Sequence, residues 1–194
     1  MVTIDKEKAE AQAQATVKRA HTSFYWAMRL LPVEKRNAMY ALYAFCRVVD
    51  DIADDPGEAA DKFIRLEKWR EEIANIFKGA PSGPVGQALT TAIDRYDLQQ
   101  NDFLAVIDGM EMDVGDGEGE AKSRVRIADM TELNLYCDRV ACAVGRLSNR
   151  VFGLEGEVSD RLAHSLGRAL QLTNILRDIA EDAGQDRLYL PLGL

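Results

Sequence analysis

The stretch ALYAFCRVVDDIADD, residues 41–55, decides the fold. It belongs to a long helix that starts near Pro32 and runs to about Asp55, where Pro56-Gly57 stops it. At ~100° per residue, Tyr43, Arg47, Asp50 and Asp54 project within roughly 60° of one another. They form one stripe of aromatic, cation, carboxylate and carboxylate, flanked by Asp51 and Asp55. Carboxylates at i and i+4 repel, and the C-terminal end of a helix prefers cations. Local preference is therefore violated, and such violations concentrate at functional sites. Two readings are open here. One is a solvated acidic helix end. The other is a magnesium site, with two carboxylates one turn apart and Arg47 placed to grip a phosphate oxygen.

The segment QLTNILRDIAEDAGQDRLYLP, residues 171–191, repeats the pattern. Asn174, Asp178 and Asp182 share one helical face, with Gln171 and Arg177 beside it. Arg187 lies just beyond the helix as a second candidate phosphate ligand. Upstream, Ala163, Gly167 and Leu170 make that face small and apolar, like the wall of a pocket with an ionic mouth. A charged helix end again explains this segment taken alone. Two acidic i, i+4 pairs, each preceded by an arginine, are a rarer coincidence. If the fold makes them face each other, they would clamp several Mg²⁺ ions on one or more diphosphates.

The rest of the chain frames these motifs. Helical signals occupy residues 5–21, 24–31, 61–78, 85–96, 101–113, 129–152 and 157–183, and strand signals are nearly absent. GAPSGP (79–84) is a turn, GDGEGE (115–120) an acidic loop, and the tail from Gly184 reads as irregular. This predicts a single all-α domain over residues 1–194. With 24 Lys and Arg against 32 Asp and Glu, the net charge is −8, which argues against a nucleic-acid partner. No apolar stretch approaches the ~20 residues of a membrane span, and no leader sequence is evident. The expectation is a cytoplasmic protein with room for a peripheral membrane contact. Cys46, Cys137 and Cys142 match no zinc spacing and read as reduced core thiols. His21 and His164 suggest no histidine metal site. No strand leads into GxGxxG, so no NADPH is expected.

The helix in TELNLYCDRVACAVGRLSNRVFG (131–153) aligns Tyr136, Val140, Ala143 and Leu147, with Val144 at the edge. Core packing explains this face. So does an apolar tunnel, with Tyr136 near a cationic centre that its ring would stabilise by roughly 0.5–2 kcal/mol. Met28, Met39, Met110 and Met112 read as gap-filling core.

HTSFYWAMRLLPVEKRNAMYALYAFCRVVDDIADD (21–55), LYCDRVACAVGRLS (135–148) and LGRALQLTNILRDIAEDAGQDRLYLP (166–191) resemble the squalene/phytoene synthase family. Within it, VIDGMEMDV (106–114) and YCDRVACAVGRLS look most like the presqualene diphosphate synthases of hopanoid-making bacteria. The resemblance implies an all-α isoprenoid synthase fold, a helical bundle around a central cavity. It implies head-to-head condensation of two farnesyl diphosphates to presqualene diphosphate. It further implies Mg²⁺ on Asp50, Asp54, Asn174, Asp178 and Asp182. Diphosphate contacts fall on His21, Thr22, Ser23, Tyr43, Arg47, Gln171, Arg177 and Arg187. Catalytic roles fall on Tyr43, Arg47, Tyr136 and Arg177, and cavity positions on Val140, Val144 and Tyr189. Family chains continue for several helices beyond the segment that matches RLYLP. The expectation is therefore a C-terminally short domain, with an exposed face prone to associate. A phytoene or dehydrosqualene synthase, a non-catalytic prenyl-diphosphate-binding or partner subunit, and a plain helical scaffold are the competing readings.

Overall fold

The computed structural model describes residues 6–20, 23–115 and 125–191. His21 and Thr22 lie outside these residues, as does most of the acidic loop after Gly115. The helices are α1 (Lys6–Arg19), α2 (Ser23–Arg29), α3 (Val33–Asp54), α4 (Ala59–Phe77), α5 (Pro84–Tyr96), α6 (Gln100–Val114), α7 (Met130–Cys137), α8 (Ala143–Phe152) and α9 (Gly156–Gly184). The all-α expectation holds, and most helix ends fall where the punctuation placed them. Pro84 opens α5 at its first turn, and Gly153 closes α8 in the left-handed conformation at φ 88°. Asp129 caps α7 by accepting from the amides of Thr131 and Glu132.

α3 is the central helix. It packs against α1, α4, α5, α6 and α8. Ala41, Ala44, Phe45 and Val49 are fully buried, and small side chains let the neighbours approach closely. Phe45 meets Trp69 and Phe103 edge-on, with ring centroids 5.7 and 5.3 Å apart, a favourable aromatic geometry. Arg146 ties α8 to α6 through Asp102 at 2.5 Å and to Asp138 at 2.8 Å.

The helix expected over 129–152 is not uniform. A π-helical turn, Asp138–Cys142, separates α7 from α8. π-turns insert one extra residue and recur at functional sites. Here α6 meets the turn at Gly109, where an added Cβ would fall 2.6 Å from Val140 Cγ1. Val140 thereby packs against both hydrophobic clusters of the molecule.

The tail departs from its expected irregular course. β2 (Arg187–Leu188) pairs in parallel with β1 (Val125–Arg126), in the register Val125 to Arg187. A two-residue strand carries no periodic signal, which is why the sequence hides it. The pairing returns the chain after α9 to the end of α3.

The face Ala163–Gly167–Leu170 also differs from expectation. Ala163 lies against Gly145, and a Cβ on Gly167 would fall 2.9 Å from the Cys142 backbone. These small residues let α8 and α9 pack closely rather than lining a pocket. Leu170 is exposed.

Candidate functional site

The acidic end of α3 receives its cations from distant segments. Arg187 donates to Asp54 at 2.8 Å and, more weakly, to the carbonyl oxygen of Ala53 at 3.5 Å. Lys62 of α4, itself buried, donates to the same carbonyl at 2.7 Å. The unpaired last-turn carbonyls of α3 are thus met by positive charge from outside the helix. Within α3, Arg47 bridges Asp50 at 3.2 Å and Asp51 at 2.6 Å.

Arg187 is the hub of the site. It bonds Asp54 of the first motif and lines a small hollow together with Asp182 of the second. Its side chain is only 10 % exposed, and its Nε has no hydrogen-bond partner among the described residues. An orphaned buried donor is costly unless a ligand meets it. Burial, reinforced by Asp54, pushes the Asp50 carboxyl up to about 6. Burial raises Asp182 as well, with Asp178 and Asp54 adding to the repulsion. Carboxylates from two separate helices are therefore close enough to oppose each other's ionisation.

The rest of the second motif is more open. Arg177 grips Asp178 through two bonds of 2.7 and 2.6 Å, which holds that carboxyl below the usual range. Gln171 and Asn174 are half-buried on the same helix, and Arg177 is exposed.

Beside Asp50 opens a cleft of ≈ 400 Å³. Tyr43, Arg47 and Asp50 give it a polar end. Val106, Met110, Val140 and Val144 line its apolar part, with Phe24, Met28 and Met39. Val140 and Val144 border this cleft, while Ala143 and Leu147 of the same helical face are buried in the core. Met28, Met39 and Met110 pack in or against the core, as expected, and also border the cleft. Ser23 opens α2 next to Phe24.

Tyr136 does not line this cleft. It is buried in the second cluster, stacked on Tyr189 with centroids 4.9 Å apart. Both hydroxyls donate to one carboxylate, Asp113 of α6, at 3.3 Å from Tyr136 and 2.6 Å from Tyr189. Burial pushes Asp113 up to about 7, against the pull of these bonds and of Arg187. Sequence reasoning missed Asp113, because its partners Tyr136 and Tyr189 lie 23 and 76 positions away.

A second group of ligand-type atoms, from Asp138, Cys142 and His164, lies within 4.8 Å. Arg146 holds Asp138, however, and the Cys142 thiol donates to the His164 carbonyl at 3.5 Å. No described helix is long and apolar enough to cross a membrane.

Residues 17–194 match the family model of squalene/phytoene synthase. The chain is 51 % identical over 170 residues to the presqualene diphosphate synthase of Rhodopseudomonas palustris, covering 88 % of this chain and 58 % of that one. It is 39 % identical to the phytoene synthase of Arthrospira platensis, over 92 % of this chain and 59 % of the relative. Among solved structures, a squalene synthase from Alicyclobacillus acidocaldarius superposes with a TM-score of 0.82 at 28 % identity, covering 98 % of this chain and 68 % of that one. The chain spans about three-fifths of the length of the curated relatives it matches. The match of nearly the whole chain, carrying both acidic motifs, makes it a member of the squalene/phytoene synthase family.

Proposed function

We propose that this chain carries the diphosphate-binding site of an enzyme that joins two farnesyl diphosphates head to head, giving presqualene diphosphate and releasing diphosphate. The observation that carries the reading is that Arg187 bonds Asp54 of the first motif and lines one small hollow with Asp182 of the second, while Asp50 of the first motif borders an apolar cleft. Its relatives from Rhodopseudomonas palustris and Zymomonas mobilis bear the name of that activity.

The donor set fits Mg²⁺: the carboxylates are hard oxygen ligands on two helices, and they repel one another without a cation. Asp50 and Asp54 would hold it from one side, and Asn174, Asp178 and Asp182 from the other. When bound, the ion supplies Lewis-acid stabilisation of the leaving diphosphate. Arg47, Arg187 and Arg177 would add donors to the same oxygens. Tyr43 and Gln171 flank the diphosphate, as would His21, Thr22 and Ser23.

The apolar wall of Val106, Met110, Val140 and Val144 would hold the isoprenoid tail and exclude water from an allylic cation. The 2,3 double bond of the second farnesyl unit attacks C1 of the first as its diphosphate leaves. Loss of a proton then closes the cyclopropane. Holding two substrates in line supplies a large part of the acceleration. No reductant enters this reaction. Phytoene synthesis is the second reading, favoured by 39 % identity to a phytoene synthase; cleft depth would separate C15 from C20 substrates.

The test is product analysis with labelled farnesyl diphosphate and Mg²⁺. Presqualene diphosphate is expected. Turnover of the C20 diphosphate in preference to the C15 would transfer the assignment to the second reading. Mg²⁺-independent turnover would overturn the proposed metal role.

A further inference from the structure

Three features near the site have no role in the reading above: the buried carboxyl of Asp113, the stacked Tyr136–Tyr189 pair and the short strand β2. They form one device. In an extended chain, residues i and i+2 point to the same side, so Arg187 and Tyr189 leave β2 together. Tyr189 reaches Asp113 on α6 at 2.6 Å, and Arg187 reaches Asp54 on α3 at 2.8 Å.

The strand cannot hold this register alone. β2 has two residues, and the bonds that flank it are long: 3.4 Å from the Val125 amide to the Asp186 carbonyl and 3.2 Å from the Ile127 amide to that of Leu188. Arg126 holds the Asp186 carbonyl at 2.6 Å just before the strand, and the short bond from Tyr189 to Asp113 anchors the side that follows it. Tyr136 occupies the second carboxylate oxygen and stacks on Tyr189, fixing its ring. Asp113 is 7 % exposed, and burying a carboxyl carries a large desolvation cost. An apolar residue would pack there without that cost, but it could not fix two hydroxyls.

We propose that Asp113 is a positioning residue: through Tyr189 it latches β2 so that Arg187 lies against Asp54, between the two acidic motifs. This deepens the diphosphate-site reading and rests on it for its functional consequence. Asp113 touches no substrate in this scheme. It determines where the guanidinium stands.

The test uses the 194-residue chain with inorganic diphosphate and Mg²⁺ as the probe. Asp113→Ala removes both acceptors. Asp113→Asn is the conservative variant should the alanine variant misfold. Asp113→Asn should weaken Mg²⁺-dependent diphosphate binding roughly tenfold, the usual scale for residues that orient ligating groups. Combined with Arg187→Gln, it should add little to the loss from Arg187→Gln alone, because both act through one guanidinium. Hydrogen exchange supplies a second readout: the Ile127 amide, bonded to β2, should exchange faster in Asp113→Asn and in Tyr189→Phe. Additive losses, unchanged diphosphate affinity or unchanged exchange at Ile127 would overturn the proposal. If the wild-type chain binds no diphosphate with Mg²⁺, the proposed function fails. The latch itself is then decided by exchange at Ile127.

Discussion

At the scale of single residues, charge is placed by distant partners. Arg187 lies 133 positions from Asp54 in sequence, yet it neutralises the acidic end of α3. Its place just beyond the acidic helix marked it as a candidate phosphate ligand in the sequence; its contact with Asp54 required the fold. Asp54 is half-exposed, so Arg187→Gln should destabilise the chain by only about 1–2 kcal/mol, measured by urea unfolding. The same change should weaken diphosphate binding far more. Asp113 was illegible for a physical reason: its partner Tyr189 is 76 positions away, and no local pattern announces it. It also makes a pH prediction. Its carboxyl ionises at about 7 in the fold against an ordinary 3.8, so the native state binds more protons between those values. Its contribution to stability is therefore complete below about pH 4 and lost as pH rises towards 7. The groups facing it are Arg187, Asp54, Tyr136 and Tyr189. Comparing Asp113→Asn with wild type across that range should show the variant losing less stability as pH rises.

At the scale of elements, the helices were readable and their contacts were not. Proline and glycine marked the ends of α3, the start of α5 and the end of α8 because these residues act locally. The π-turn and the β1–β2 pair were hidden because close approach between elements defines them. Two glycines hold the approach of α6 and α9 to the π-turn. Gly167→Ala would press a methyl onto the Cys142 backbone, which cannot yield as a side chain can. It should cost about 1–3 kcal/mol of stability in urea, with the π-turn and α9 forced apart. Gly109→Ala meets Val140 instead, a residue of the cleft wall. Its expected signature is narrower: weaker binding of farnesyl diphosphate with little change for inorganic diphosphate, compared by titration calorimetry.

At the scale of the whole molecule, the fold brings two acidic motifs from α3 and α9 to one cation and places an apolar cleft beside one of them. Each motif alone can also be read as a solvated helix end. The approach of Arg187 to Asp54 and Asp182 is what favours one shared site, and only a tertiary structure supplies it. The outer face of α9 exposes Val158, Leu162, Leu166 and Leu170, a continuous apolar stripe. Such a stripe predicts concentration-dependent association, which sedimentation should detect and Leu166→Lys should reduce. The decisive measurement is calorimetric titration of farnesyl diphosphate into the wild-type chain and into Asp54→Asn and Asp182→Asn, with and without Mg²⁺. Wild type should bind only with Mg²⁺, and each variant should lose at least about tenfold in affinity, since both motifs serve one site. Equal binding without Mg²⁺, or a loss confined to one motif, would contradict a shared diphosphate site.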